Sequence, residues 1–435
     1  MTAMQEQQES EVGVIPEGWS IASLGDLGRC IRGVSYKPEH LMQETGEGVT
    51  TLLRSNNIKN DRVNFDDVQF VAGCKISEDQ LVRPFDIAIC MSNGSKALVG
   101  KSGVVTPAHL ARHPRLTVGA FCAIYRSPVL YTAQIFKSQF FQSAIDVQLA
   151  GSAINNLKGS DIEGIRFPLP PLEEQQKIAA ILTAVDDKLD VIARQIEATQ
   201  TLKQGLMQTL FSRGVGTRDA DGRWVPHAEF KDSELGEIPA AWTVRTLGSV
   251  TEEVRERNSG KLDDALLCGV LKDQGLVPMR ERVKGATTER CRVVSPGAFA
   301  YNPMRINIGS IARNLRDHSV MVSPDYVVFA TRPGELLPGF LDHFRRSDEW
   351  QRFVGRSGDG GVRIRIYYDD LAQLRLKVPP LAEQVKVVEV LDCLTTKLNQ
   401  LVVKRDEIQT LKRGLMQKLL TGEWRVNVDP SATGT

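Results

Sequence analysis

Two patterns in this chain come close to known catalytic or cofactor-binding motifs, and each lacks a residue that the chemistry requires. The segment Gly94–Ser102 resembles a phosphate-binding loop, but its spacing is one residue too long and Ser95 occupies a required glycine position. His109 and His113 have the spacing of two zinc ligands on one helix face, but Leu110 replaces the glutamate that would act as the base. The sequence therefore predicts neither a nucleotide site nor a zinc-protease site.

Two further patterns begin like catalytic motifs and then depart from them. Asn302-Pro303-Met304-Arg305 starts like the Asn-Pro-Pro-aromatic loop of adenine methyltransferases but differs at its third and fourth positions. Pro324-Asp325 starts like a common nuclease core, but no acid-x-lysine pattern follows it. The seven cysteines are too scattered to form a CxxC pair, which indicates reduced thiols and argues against a zinc ribbon or redox motif. We expect no catalytic residue and no metal site in this chain.

The candidate functional residues that remain are polar side chains clustered beside predicted turns. Arginine and asparagine can form paired hydrogen bonds with base edges, while lysine and serine can hold phosphates, so we expect these clusters to contact DNA. The candidates are Arg54, Asn56, Asn57, Lys59, Ser92, Asn93, Ser95 and Lys96 in the first half of the chain, and Arg280, Arg282, Tyr301, Asn302, Arg305, Asn307, Arg363, Arg365 and Tyr367 in the second half.

The bulk composition is that of a globular protein. The 435 residues are 42% apolar and 25% charged, with a formal net charge of +1. This length predicts two or three domains, and the near-neutral charge means that any DNA-binding surface must be local. The polar N-terminus is not a signal peptide and no apolar run is long enough to cross a membrane. We expect a cytoplasmic protein without membrane contact.

The chain contains an internal repeat. The segment that begins at Pro170 returns at Pro379 without a gap, and 18 of its 41 residue pairs are identical. A shorter match relates residues 12–19 to residues 235–242, at an offset of 223 instead of 209. The blocks between the matches therefore differ in length. The chain alternates variable block, repeated segment, variable block, repeated segment, as a duplicated gene would.

Each repeated segment has the pattern of a long helix. Two prolines and an acidic first turn open it, and apolar residues follow at alternating steps of three and four. At 1.5 Å per residue each helix is about 57 Å long, so its apolar stripe needs a long partner. We expect the two helices to pack antiparallel about a pseudo-twofold axis; the alternatives are packing on each helix's own domain or a homodimer. The predicted helix-pair core is Ile178, Leu182, Val185, Leu189, Ile192, Ile196, Val387, Leu391, Leu394, Leu398, Leu401 and Ile408.

Four glycines punctuate these helices. Gly214 and Gly422 mark the predicted C-terminal stops. Gly205 and Gly414 lie inside the helices at some cost in helix propensity. We expect this second pair to mark close backbone approach, either between the helices or to a partner.

The variable blocks have a mixed pattern of short strands and helices. The predicted strands include residues 86–90, 120–125 and 326–330, and the predicted helices are 131–147 and 338–354. The second block, residues 231–378, contains 23 basic residues, of which 18 are arginine, against 20 acidic ones. This arginine content favours recognition of base edges and phosphates.

The combination of the repeated motifs resembles one family. PPLEEQ with GLMQTLFSRG, and PPLAEQ with GLMQKLLTGEWR, resemble the two conserved regions of the specificity subunits of type I restriction-modification systems. The openings IPEGW and IPAAW resemble the starts of their target recognition domains. Each motif alone is weak, but in this duplicated order they are specific, and the resemblance extends from about residue 12 to residue 426.

The resemblance implies a function in DNA recognition without catalysis. Each target recognition domain would contact one half of an asymmetric, bipartite site on double-stranded DNA, and the helix pair would fix the gap between the halves. The helices would also dock two methyltransferase subunits, which bind S-adenosylmethionine. A motor-nuclease subunit, which uses ATP and magnesium, would complete the complex. This chain itself would bind no cofactor.

The expected fold is α+β, with two globular target recognition domains separated by two long antiparallel helices in a pseudo-twofold repeat. The expected segments are a disordered tail at 1–11, a first recognition domain at 12–169, a central helix at 170–214, a linker at 215–234, a second recognition domain at 235–378, a distal helix at 379–426 and a C-terminal tail at 427–435.

Two other readings of the sequence stay open. A coiled-coil adaptor that binds proteins would explain the helices, but not two diverged blocks that are rich in arginine. The recognition part of a fused restriction-methylation enzyme would explain the blocks, but it should carry a catalytic segment. A neighbouring methyltransferase gene would favour a specificity subunit over both.

Overall fold

The computed structural model describes residues 15–59, 61–72, 76–150, 155–272, 274–279, 287–356 and 365–427. The chain divides into two compact units. Unit 1 consists of residues 1–192 and 404–435, and unit 2 consists of residues 193–403. The predicted tail at residues 1–11 and all but the first residue of the predicted tail at 427–435 lie outside the described residues.

Among the described residues of unit 1, helices are combined with strands that form three sheets. Its strands are β1 (Ser20–Ser23), β2 (Arg29–Arg32), β3 (Leu41–Met42), β4 (Val49–Leu53), β5 (Ile58–Lys59), β6 (Arg62–Val63), β7 (Gln69–Ala72), β8 (Ile87–Cys90), β9 (Ser102–Val104), β10 (Leu116–Val118), β11 (Cys122–Arg126) and β12 (Arg166–Leu169). Its helices are α1 (Leu24–Leu27), α2 (Pro107–Arg112), α3 (Thr132–Phe136), α4 (Gln139–Ala150), α5 (Gly159–Glu163) and the first part of α6 (Leu172–Ser212). The strand orders are β2-β11-β8-β9-β6-β5, β10-β4-β7-β3 and β1-β12.

Unit 2 has a similar mixture of elements. Its strands are β13 (Thr217–Arg218), β14 (Trp224–Val225), β15 (Phe230–Lys231), β16 (Ile238–Pro239), β17 (Thr243–Thr246), β18 (Thr251–Glu253), β19 (Cys268–Leu271), β20 (Gly275–Pro278), β21 (Arg292–Val294), β22 (Phe299–Tyr301), β23 (Ile311–Arg313), β24 (Val320–Val322), β25 (Val327–Thr331) and β26 (Arg375–Val378). Its helices are α7 (Leu247–Val250), α8 (Pro338–Phe344), α9 (Asp348–Arg356), α10 (Tyr368–Leu371) and the first part of α11 (Leu381–Leu420).

The two units share one strand order. In unit 1 the run β2-β11-β8-β9 is antiparallel throughout, and in unit 2 the run β18-β25-β22-β23 has the same order and the same directions. The predicted strands at 86–90, 120–125 and 326–330 correspond to β8, β11 and β25. The sheets are mostly antiparallel, apart from the parallel pairs β4–β10 and β6–β9 in unit 1, and this mixture of helices and sheets is an α+β fold.

In each unit, the strand that follows the short opening match pairs with the strand that precedes the long helix. β1 pairs antiparallel with β12, and Ser20 lies opposite Leu169. β17 pairs antiparallel with β26, and Thr243 lies opposite Val378. The same register therefore closes both blocks, although the chain between the paired strands differs in length. A length change confined to loops between fixed strands costs little, because loop-closure entropy grows slowly with length.

Both long helices extend close to the predicted bounds. α6 covers Leu172–Ser212 and α11 covers Leu381–Leu420, and the backbone of Gly214 and Gly422 that follows is left-handed, with φ of +71° and +72°. This is the conformation that glycine adopts most easily, so the predicted stops are confirmed. The predicted helices at 131–147 and 338–354 are each divided in two, as α3 with α4 and α8 with α9.

Within unit 1, the parts of α6 and α11 run antiparallel. Asp186 Oδ1 of α6 lies 2.7 Å from Lys412 Nζ of α11. Glu174, near the start of α6, forms an ion pair with Arg425, beyond the end of α11. Ile178 and Leu182 are buried in one cluster with the end of α11 and with the large side chains of the sheet, including Tyr125 and Phe141.

Within unit 2, the remaining parts of the helices also run antiparallel. Lys203 Nζ donates a 2.6 Å hydrogen bond to Thr395 Oγ1, and the chain just after α6 contacts Glu383 near the start of α11. Val387 and Leu391 are buried against the aromatic core of the unit. The predicted core residues that are fully buried are Ile178, Leu182, Leu189, Ile192, Ile196, Val387, Leu391 and Leu401, and those that are half-buried are Val185, Leu394, Leu398 and Ile408.

No helix among the described residues combines the length and the apolar character that a membrane span needs.

Candidate nucleic-acid interface

In unit 1, the β8–β9 loop carries one of the predicted clusters. The loop leaves β8 after Cys90, contains a short 3-10 helix over Lys96–Leu98, and returns through Gly100, whose φ is +83°. Ser95 and Lys96 are exposed, and Ser92 and Asn93 are half-buried. The loop is therefore a short, sharply turned segment that presents small polar side chains.

The structure brings the two predicted clusters of unit 1 together. Asn93 Nδ2 donates a 3.1 Å hydrogen bond to Ser55 Oγ, which joins the β8–β9 loop to the segment after β4. In the same segment Asn56 and Lys59 are exposed. Side chains that lie 38 residues apart in sequence thus form one surface.

Three predicted residues of this surface use their side chains in hydrogen bonds within the protein. Asn57 is completely buried; its Oδ1 accepts from the backbone N–H of Arg54 and its Nδ2 donates to the carbonyl of Asp66. Asn93 is similarly committed, since its Oδ1 accepts from Ser95 N. The prediction of base contacts is wrong for Asn57, because a buried amide with satisfied hydrogen bonds cannot reach a base.

Arg54 is the third of these residues. Its guanidinium donates to the carboxylate of Asp67 at 2.8 Å and to the carbonyl of the same residue at 2.9 Å. Asn56 Nδ2 also approaches that carboxylate, at 3.4 Å. Arg54 therefore holds the loop that contains Asp67, and it would have to release that carboxylate to bind a base or phosphate.

In unit 2, the β22–β23 loop occupies the position that the β8–β9 loop has in unit 1. It contains a 3-10 helix over Ile306–Ile308 and returns through Gly309, whose φ is +95°. Arg305 is exposed and Asn307 is half-buried. The predicted clusters at 92–96 and 301–307 thus lie on equivalent loops of equivalent sheets.

Two predicted residues of unit 2 have structural roles. Tyr301 is completely buried within β22, and burial raises the pKa of its phenol far above the usual range. The prediction that it contacts DNA is wrong, because its side chain belongs to the core. Asn302 is half-buried, and its Oδ1 accepts from Met304 N at 3.0 Å, as an Asx turn requires.

A segment far along the chain completes the surface of unit 2. The backbone N–H of Ile366 donates to the carbonyl of Pro303 at 3.1 Å, which places the exposed residues Arg365 and Tyr367 beside the β22–β23 loop. The predicted residues Arg280, Arg282 and Arg363 lie outside the described residues.

The equivalent segment of unit 1 was missed by sequence reasoning. Leu157 N donates to Met91 O at 2.8 Å, and Asn155 Nδ2 donates to Gly94 O at 3.3 Å. Asn156 and Lys158 are both exposed, and they lie where Arg365 and Tyr367 lie in unit 2. The repeat contained the signal, because the offset of 209 relates residues 156 and 158 to residues 365 and 367.

A different site joins each recognition block to a long helix. In unit 2, Glu383 is buried and accepts hydrogen bonds from Trp242 Nε1, from Val215 N and from Gly216 N, at 2.7, 2.9 and 3.1 Å. His227 Nε2 lies 2.9 Å from the same carboxylate. In this arrangement a glutamate of the repeated motif fixes the block and the end of α6 to the start of α11.

Comparison with known proteins finds similarity to the specificity subunits of type I restriction enzymes. The family described as "Type I restriction modification DNA specificity domain" matches residues 128–200. The specificity subunit of the type I restriction enzyme StySPI from Salmonella potsdam is 26% identical over 452 residues, and the match covers 95% of this chain and 91% of that protein. Nearly the whole chain is therefore similar to type I specificity subunits.

A second relative in the specificity subunit family is more similar over a shorter stretch. The EcoKI specificity subunit of Escherichia coli K12 is 36% identical over 202 residues, which is 46% of this chain and 41% of that protein. A crystal structure of a type I restriction-modification system S subunit from M. genitalium has a TM-score of 0.57 and 15% identity, with 95% of this chain and 97% of that chain covered. At this identity the likeness shows that the fold is that of a specificity subunit.

Proposed function

We propose that the chain recognises a bipartite DNA sequence for a type I restriction-modification complex and catalyses no reaction itself. Unit 1 contacts one half-site through the β8–β9 loop, and unit 2 contacts the other through the β22–β23 loop. The observation that carries the proposal is that one strand order presents a loop at the same place in both units, with different side chains on each. Different loops on a repeated scaffold indicate an asymmetric target.

The long helices set the gap between the half-sites in this proposal. α6 and α11 contain 41 and 40 residues, so each is about 60 Å long at 1.5 Å per residue. Each unit holds an antiparallel portion of the two helices through its own ionic and apolar contacts, which supports a rigid spacer. A rigid spacer between two recognition surfaces would accept only one separation of half-sites.

A matched surface on the helices supports docking of two identical partners. Apart from the helix's own backbone, a Cβ added to Gly205 or to Gly414 would meet no atom within 4 Å, so the described part of the chain does not use the close approach that these glycines permit. Leu202 and Leu411, one turn earlier, are identical and more than half exposed. Because the same exposed residues recur in both copies, we infer that each helix binds one methyltransferase subunit at this face.

The partners would supply the chemistry. In this proposal the methyltransferase subunits bind S-adenosylmethionine and modify adenine, and a motor-nuclease subunit binds ATP and magnesium. The bases that each loop contacts select the site for both activities.

The first test is a methylation map. The chain is co-expressed with its expected methyltransferase partner in a host without adenine methylation, and the modified adenines are sequenced. We expect one asymmetric motif with an unread gap of fixed length. An active, bound methyltransferase that modifies no motif, or an ungapped one, would contradict the proposal and favour a protein-binding adaptor.

Three variants of the same experiment separate the loops from the spacer. Exchange of residues 92–100 for the same loop of a relative should change one half-site and leave the other unchanged, and exchange of 302–309 should do the reverse. Insertion of seven residues in both helices adds about two turns, or about 10 Å, which corresponds to about 3 base pairs of DNA. The gap should lengthen while both half-sites stay the same.

A further inference from the structure

Unit 2 exposes a group of large apolar side chains at its candidate interface. Leu271, Met304, Ile308 and Tyr367 are 48%, 49%, 58% and 51% exposed. Exposed apolar residues scattered singly need no explanation, but a group on one surface usually marks a binding site.

Three segments bring these side chains onto one surface. Ile366 N donates a hydrogen bond to Pro303 O. This bond places Tyr367, the next residue, close to Met304, which follows Pro303. Ser310 Oγ donates to the carbonyl of Val270 at 2.9 Å, which sets the end of β19 beside the end of the β22–β23 loop.

The Lys272 side chain then lies against the loop. A Cβ built on Gly309 would be 3.2 Å from Lys272 Cγ, so the side chain that follows Leu271 touches the residue that follows Ile308. The end of β19 therefore lies against the β22–β23 loop, and the Lys272 side chain lies beside Gly309.

The β22–β23 loop is held rigidly. Asn302 N donates to Ser310 O at 3.1 Å, and Ser310 N donates to Arg305 O at 3.0 Å, so the loop is closed at its base and across its middle. Ile306, between the two exposed apolar residues, is buried in the core of unit 2. The side chains of Met304 and Ile308 are thus presented to solvent by a fixed backbone and not by a loose one.

Three cations surround the apolar group. Lys272, Arg305 and Arg365 are exposed, and none forms an ion pair with another residue in the described part of the chain. The nearby carboxylate of Asp370 accepts from Tyr367 N and caps α10. Duplex DNA has negatively charged phosphates outside and stacked, apolar base faces inside. A surface with apolar side chains at its centre and cations around them is therefore complementary to duplex DNA more than to a protein surface.

The equivalent loop of unit 1 lacks this feature. Its exposed residues Ser95, Lys96 and Ala97 are small or charged, while Met91 and Val99 are buried. Beside this loop, Phe121 is 69% exposed and its carbonyl accepts from Met91 N and Ser92 N. The exposed apolar side chain of unit 1 therefore lies outside the loop, whereas those of Met304 and Ile308 lie on the loop of unit 2.

We propose that Met304 and Ile308 form an apolar wedge that inserts between adjacent base pairs and unstacks one step of the unit 2 half-site. Lys272, Arg305 and Arg365 hold the flanking phosphates, and Tyr367 packs on an exposed base. This proposal rests on the proposed function of unit 2. Pyrimidine–purine steps unstack most easily, so the half-site should contain one at the wedge position, selected by its deformability and not by base-edge hydrogen bonds.

The test uses the complex with the methyltransferase and the mapped target duplex. 2-Aminopurine is placed in turn at positions of the unit 2 half-site other than the methylated adenine, because its fluorescence rises when it loses its stacking neighbours. We expect a rise at one step. The double substitution M304S/I308S should abolish the rise and weaken binding roughly ten-fold, comparable to one mismatched base pair.

Two controls separate the wedge from general binding. L315S removes a leucine that is 74% exposed in the β23–β24 turn, and it should change neither the fluorescence nor the affinity. The double substitution K272A/R305A should weaken binding and reduce its salt dependence, while saturating complex still gives the rise.

The outcomes distinguish the wedge from the proposed function. A complex that binds and methylates its target without any rise in fluorescence, or a rise that survives M304S/I308S, would overturn the wedge and leave the recognition function intact. A chain that supports no sequence-specific binding or methylation would overturn the recognition function, and the wedge with it.

Discussion

Glu383 accepts a 2.7 Å hydrogen bond from the indole Nε1 of Trp242, and both residues are buried. The equivalent residues in unit 1 do not make this bond. Glu174 accepts instead from Arg425, whose guanidinium also lies 5.9 Å from the ring centroid of Trp19, and Trp19 Nε1 is buried without a partner among the described residues. The same glutamate of the repeated motif therefore has two different roles.

This difference predicts unequal effects of the two matched substitutions. E383A leaves four buried or partly buried donors without an acceptor and should destabilise the chain by about 3–5 kcal/mol. E174A should cost less, about 1–2 kcal/mol, because 44% of the Arg425 side chain is exposed and water replaces part of the interaction. Urea unfolding of both variants gives the comparison.

Amide exchange identifies the origin of the effect. Val215 N and Gly216 N donate to Glu383, so E383A should accelerate exchange at these two amides, and E174A should not. Equal losses of stability, or unchanged exchange at these amides in E383A, would show that the carboxylate does not hold this junction.

The helix glycines predict a separation of stability from assembly. Because a Cβ at Gly205 or Gly414 meets open space, G205A and G414A should each stabilise the isolated chain by about 0.5–1 kcal/mol through helix propensity. If the methyltransferase approaches the backbone there, the same variants should bind it more weakly. Thermal unfolding and co-purification measure the two effects.

Gly214 serves as the matched control. Its φ is +71° and a Cβ there would collide with Glu383, so G214A should destabilise the chain. Undiminished methyltransferase binding by the double variant G205A/G414A would contradict docking at this face.

The ionic contacts on the helices predict a stabilising substitution. In unit 1, burial alone would raise the pKa of Asp186, but Lys137 and Lys412, each 2.7 Å away, hold it below the usual range. The equivalent residue in unit 2 is Thr395, which accepts from Lys203, and burial lowers the pKa of that lysine. T395D should therefore stabilise unit 2 by about 1 kcal/mol near pH 7 and raise the pKa of Lys203.

The pH dependence of T395D follows from the sign of the shift. A carboxyl group whose folded-state pKa is depressed stabilises the fold above its unfolded pKa, about 4, and the benefit disappears as the pH falls through the folded value. D186T is the reverse control and should destabilise unit 1 over the same range. A T395D chain that is no more stable than the parent at pH 7 would contradict the pairing.

His343 predicts a second pH effect. It is buried, its Nε2 lies 2.8 Å from Asp392 Oδ1, and burial lowers its pKa despite that carboxylate. The folded chain therefore binds fewer protons than the unfolded chain just below the unfolded pKa, about 6.5, and stability should fall as the pH falls from 7 toward 5. The equivalent residue in unit 1 is Gln134, which donates to Thr183.

The variant H343Q copies the unit 1 residue into unit 2 and removes this titration. As the pH falls from 7 to 5, the unfolding free energy of the parent should decrease more than that of H343Q. Parallel pH profiles for the two proteins would show that His343 does not contribute.

The sequence by itself determined the repeat, the long helices and their ends. Helix periodicity, an opening Pro-Pro pair and a closing glycine are local signals, since each depends on residues within a few turns of one another. Gly214 and Gly422 illustrate this, because the left-handed backbone at both stops follows from the residue type. The strands at 86–90 and 326–330 were equally visible as short apolar runs.

Tertiary structure alone decided which polar residues face solvent and which distant segments meet. Asn57 and Tyr301 are buried, whereas Ser95 and Arg305, on similar turns, are exposed. The placement of Lys158 beside the β8–β9 loop likewise depends on a contact across 66 residues, between Leu157 N and Met91 O. The reason is physical: periodicity and capping act between near neighbours, while the burial of a side chain in a loop depends on which remote strand packs over it.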